Sequence, residues 1–163
     1  MKEILDKLSS YNIFNYLLPG ILFVAIAKYL TEYNFIQENV LIGAFLYYFI
    51  GMVISRVGSL LIEPLLKKIK FVKFADYSDF ISASKKDEKI ELLSEVNNTY
   101  RTITSMFVVL LLLKAYSCLD RRYHFNSGIS LIVLSCLILV MFLFAYRKQT
   151  GYITRRIFKA NNP

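Results

Sequence analysis

The sequence predicts an all-α fold: an integral membrane four-helix transmembrane bundle with a short cytoplasmic helical loop. Three observations predict it. Of 163 residues, 56% are apolar, and the mean hydropathy is +0.46, whereas a soluble domain of this size carries roughly 45–50% apolar residues. The apolar residues gather in four blocks, 11–30, 40–62, 103–119 and 128–146, each close to the ~20 residues that cross a bilayer as a helix. The longest polar stretch, 67–102, has 36 residues, below the roughly 40 at which an isolated soluble domain needs disulfides or metals to fold. A single membrane domain spanning 1–163 is therefore expected.

Ahead of the first block, Ile4, Leu5 and Leu8 recur at helical spacing, which suits a helix lying along the membrane interface. Lys2, Lys7 and the Ala25-Ile26-Ala27 run imitate a signal peptide. Glu3 and Asp6 break the basic start, so the block is expected to remain as a span. Pro19 either kinks this span, because it lacks an amide proton, or begins it as the first helical residue.

In the second block Gly51, Ser55 and Ser59 recur every four residues. Small side chains at that spacing let helices approach closely, and this predicts a packing face within or between subunits. Arg56 lies about 24 Å along the helix from Val40, near the inner leaflet. Glu63 follows two helical turns later on the same face, so the two form an ion pair or line an inner vestibule, or Arg56 extends to lipid phosphates instead. Pro64 is expected to mark the end of the span.

The connecting stretch is expected to hold two helical pieces. Residues 74–84 mix aromatics and acids and suit a short helix beneath the membrane. Ser84 and Asp87 have capping-box spacing, and Ile90, Leu93 and Val96 follow at helical intervals. That helix is expected to run through Tyr100 and Arg101 into the third span. Glu88, Glu91 and Glu95 fill its other faces and, with Arg101, are the expected docking residues for a cytoplasmic partner.

Lys114 lies about 18 Å along the third helix from Thr102, past the midplane. Its stem reaches outer headgroups, or it faces a polar cavity or subunit interface towards Glu32 or Glu38. Cys118 and Cys136 sit at different depths and read as small apolar packing residues rather than a disulfide. His124, the lone histidine, falls in the outer loop. No catalytic constellation, phosphate loop or metal-ligand spacing appears, so neither an enzyme nor a cofactor is expected.

Orientation follows from the basic residues. Fifteen of twenty fall in the N-terminal segment, the 67–102 loop and the tail after 146, while the 31–39 connection carries Glu32 and Glu38 and no cation. The inner-membrane protein is thus expected to keep both termini in the cytoplasm. Lys67, Lys68, Arg147, Lys148, Arg155 and Arg156 are the expected contacts to anionic headgroups, at about 1 kcal/mol each. Juxtamembrane charge is explained by topology, so direct nucleic-acid binding is not expected.

Three stretches, YNIFNYLLPGILF (11–23), FIGMVISRVGSLLIEPLLKK (49–68) and KKDEKIELLSEVNNTYRT (85–102), together resemble small four-helix membrane proteins of bacterial anti-phage defence loci. Among these the chain is most similar in layout to the membrane-subunit family of the Kiwa system, KwaA. The resemblance implies a homotetramer that senses phage attack at the inner membrane and works with a cytoplasmic DNA-binding partner. No space remains for a folded messenger-binding domain, which also favours a subunit that docks another protein. The alternative is an oligomeric pore that depolarises the cell, with Lys114 or Arg56 lining it. A small exporter is a weaker third reading, because those carry a glutamate inside the first span and this chain has none there.

Overall fold

The computed structural model describes residues 11–161, and among them every regular element is helical. The chain enters on a π-helical turn, Ile13–Leu17, and continues into α1 (Leu18–Leu30). Helix α2 (Val40–Val57) leads through a second π-helical turn, Gly58–Ile62, into α3 (Glu63–Lys68). A short α4 (Tyr77–Ser84) precedes α5 (Lys89–Tyr123) and α6 (Ser127–Asn161). Four helical stretches among the described residues are long and apolar enough to cross a membrane: Ile13–Leu30, Val40–Lys68, Lys89–Tyr123 and Ser127–Asn161. The interfacial helix expected over the first ten residues lies outside the described region.

Both π turns stand two residues before a proline, and the proline explains them. Pro19 and Pro64 have no amide proton, and their rings press on the carbonyl four residues back. The turn widens in response: the Leu18 amide bonds the Ile13 carbonyl, and the Glu63 amide bonds the Gly58 carbonyl, each five residues away. Pro19 therefore opens α1 within a longer helical run. Pro64, expected to end the second span, does not end it. The helix closes at Lys68, and Lys70, at φ 58°, turns the chain away.

Side-chain hydrogen bonds set some of the other boundaries. The Asn39 Oδ1 accepts from the Leu41 and Ile42 amides at 3.0 and 3.1 Å and starts α2. The expected capping box at Ser84 does not form. Ser84 closes α4 and donates to the Ile81 carbonyl at 3.2 Å, while the Asp87 carboxylate accepts from the Lys89 amide at 3.0 Å. Helix α5 then runs unbroken to His124, whose left-handed φ of 51° reverses the chain.

The apolar core lies between α1, α2 and α5, where Phe23, Val24, Ala27, Ile54, Met106 and Leu110 are buried together. Close approach depends on two glycines. A β-carbon on Gly20 would stand 1.8 Å from the Tyr47 carbonyl oxygen, and one on Gly51 would stand 1.8 Å from that of Tyr16. Helix α6 rests chiefly on α2 and the second π turn, and Ala145 is its one buried residue among those described. Its apolar side chains face outward all round, as suits a helix surrounded by lipid. Cys118 and Cys136 are both exposed and free rather than packed in the core, since each projects from the outer surface of its helix.

Polar contacts define the two ends. At one, Tyr33 donates to the Asp120 carboxylate at 2.7 Å and Arg121 pairs with Glu32 at 2.5 Å, tying the 31–39 connection to the end of α5. Desolvation and the Asp120 hydrogen bond push the Tyr33 hydroxyl up to about 12. A raised value favours the protonated form, so this tie is complete below the ordinary tyrosine value near 10 and is lost as pH climbs through 12. At the other end Glu63 and its cations join α3, α5 and α6.

Candidate functional site

A polar seam runs from mid-bundle to that second end. At its head the Asn15 side chain, wholly buried, sits in the first π turn. Its amide donates to the Tyr11 hydroxyl at 3.2 Å and to Ser55 Oγ at 3.4 Å. Thr102, also wholly buried, has the Asn15 Oδ1 at 2.8 Å, the Ser55 Oγ at 3.2 Å and the Asn98 carbonyl at 2.9 Å. A hydroxyl has one proton, so Thr102 serves one of these acceptors at a time. Three segments are thus joined by hydrogen bonds that replace water where none is at hand. Each such bond contributes about 0.6 kcal/mol on average in membrane proteins.

About two turns beyond Ser55, the Glu63 carboxylate, 7% exposed, takes Arg101 at 2.7 Å and Lys67 at 2.8 Å, with Lys148 at 3.9 Å. Lys148 donates to the Ser59 carbonyl at 2.7 Å and to its hydroxyl at 2.8 Å. The Arg101 Nε is buried without a hydrogen-bond partner among the described residues. One carboxylate facing three cations leaves this end of the seam electropositive.

Several expectations need correction. Arg56 does not pair with Glu63; it donates to the Tyr16 hydroxyl at 3.1 Å. The Gly51, Ser55 and Ser59 stripe, by contrast, packs within the subunit as one of its two expected alternatives had it, against Tyr16, the Asn15–Thr102 pair and Lys148 respectively. Arg101 and Lys148, expected at a docking surface and at headgroups, are held by Glu63 instead. Lys67 divides between Glu63 and the Phe74 ring, 4.1 Å from its centroid. Lys114 is exposed on α5 and forms no ion pair among the described residues, and Glu32 is taken by Arg121.

The remaining residues stay at the surface. Glu88, which precedes α5, and Glu91 are exposed, and Glu95 is half-buried, the last two on the first turns of α5. Glu91 and Arg156 line a cavity of about 100 Å³ with Ile81 of α4. Lys68 and Arg147 are exposed, and the Arg155 guanidinium lies against the rings of Tyr77 and Tyr152, at 5.4 and 5.0 Å. The sequence reading missed Asn15, Thr102 and Tyr16. Asn15 carried a usable signal, since an amide amid an apolar span is costly unless satisfied.

No protein-family model, curated protein or solved structure matches the chain.

Proposed function

We propose that this chain is the membrane-embedded subunit of a bacterial anti-phage defence complex, which senses infection at the inner membrane and recruits or activates a cytoplasmic DNA-binding partner. The observation that carries the reading is α5. Its 35 residues span about 52 Å without interruption, from the Glu88, Glu91 and Glu95 surface to the Tyr33–Asp120 tie. A displacement at the tied end reaches the acidic surface through one rigid element, and it acts on the partner if the two positions differ in affinity. The defence context rests on the family resemblance, which also supplies the homotetramer.

Lys114, exposed and without an ion pair among the described residues, on an apolar stretch of α5, favours one second reading: a pore lined by Lys114 between subunits. Purified protein in planar bilayers separates the two, because a pore conducts alone and a recruiting subunit does not. For the main reading, Glu88→Lys, Glu91→Lys and Glu95→Lys are introduced together in cells carrying the native locus. Partner co-purification and phage protection should both fall, with insertion and oligomer size unchanged. Full capture and full protection by the triple variant would exclude this surface as the docking site.

A further inference from the structure

An open groove of about 370 Å³ runs between the second π turn and α6, lined by Leu60, Phe144, Arg147, Lys148, Gly151 and Arg155. Its composition changes along its length. Leu60 and Phe144 make an apolar end towards the membrane core, and the cations crowd the end where the apolar stretch of α6 stops. Arg147, Gly151 and Arg155 follow one another at four-residue intervals, about 6 Å apart along one ridge of the helix.

Gly151 is the informative residue. It sits inside a 35-residue helix, where glycine is less stable than alanine. No neighbour requires the space, since a β-carbon there would meet nothing within 4 Å. On the helix the gap lies between Arg147 and Arg155, both of which line the groove. Arg155 folds back towards it, its Nε donating to the Gly151 carbonyl at 3.2 Å, with its guanidinium against the Tyr77 and Tyr152 rings and no further hydrogen bond among the described residues. Lys148 forms the floor, fixed by Ser59, and Glu63, which it faces, is held by Arg101 and Lys67.

We propose that this groove binds one anionic phospholipid, with its phosphate over Gly151 between Arg147 and Arg155 and its first acyl carbons along Leu60 and Phe144. Guanidinium edges match phosphate oxygens in geometry and charge. The apolar end assigns the phosphate to a lipid, because a water-soluble phosphate has nothing to contact there. The site depends on the chain lying in a membrane, but not on a role in defence.

The test uses full-length protein in nanodiscs containing phosphatidylglycerol, with bound lipid counted by native mass spectrometry. Wild type should retain phosphatidylglycerol, and Gly151→Leu, which fills the gap and strengthens the helix, should lose it while its melting temperature holds or rises. Arg155→Gln should lower retention about fivefold, the factor equivalent to one basic residue at an anionic surface, and Lys86→Gln, at an exposed position outside the groove, should leave it unchanged. Equal retention by wild type and Gly151→Leu would overturn the proposal. So would a loss with Lys86→Gln as large as with Arg155→Gln, or a thermal shift from inorganic phosphate equal to that from the lipid.

Discussion

Glu63 is the residue on which most of the charge at the inner end of the seam depends. Its carboxylate answers Arg101, Lys67 and, at longer range, Lys148, so removing its charge leaves several cations facing one another. Among the described residues, Arg101 already carries one buried nitrogen without a hydrogen-bond partner. Glu63→Gln should therefore destabilise the protein by about 3 kcal/mol, at the low end for a broken buried pair, since the Arg101 side chain keeps 20% of its exposure. Arg101→Met should cost less, because Glu63 retains Lys67. In a double-mutant cycle by denaturant unfolding in detergent, the two changes together should cost less than the sum of the singles. Strict additivity would mean that the pair contributes nothing.

At the scale of elements, the π turns decide which side chains meet. Arg56 and Glu63 are seven residues apart, which on a regular α-helix places them on one face. The turn at Gly58–Ile62 takes up an extra residue, rotating everything beyond it by about 100°, so Glu63 meets Arg101 and Arg56 meets Tyr16. That is why the pairing read from the sequence failed although both residues were recognised as unusual. Helix existence and the continuity of α5 were legible, because block length and periodicity report them directly. The Asn15–Ser55–Thr102 contacts were not, since a one-dimensional pattern does not say which faces of three helices will converge. The same reasoning yields a prediction for Pro19→Ala. Alanine is about 3 kcal/mol better than proline in a helix interior, yet the substitution should fail to raise the melting temperature. A regular turn would swing Asn15 away from Ser55 and Thr102 and leave buried polar groups unpaired. A clear gain in melting temperature would show that the π turn is incidental to the fold.

At the scale of the whole molecule, charge and architecture divide the bundle into two unlike ends. The 31–39 connection and the α5–α6 turn lie at the end held by Tyr33 and Asp120. The 67–89 segment and the end of α6, rich in Lys and Arg, lie at the end held by Glu63. From the positive-inside rule we propose that the second end faces the cytoplasm, and the proposed docking surface depends on that orientation. The direct measurement is labelling of single cysteines by a membrane-impermeant maleimide, in a background with Cys118→Ser and Cys136→Ser. Glu38→Cys should react in intact spheroplasts, and Lys86→Cys should react only after permeabilisation. The opposite pattern, with Lys86→Cys reacting in intact spheroplasts and Glu38→Cys protected, would contradict the account.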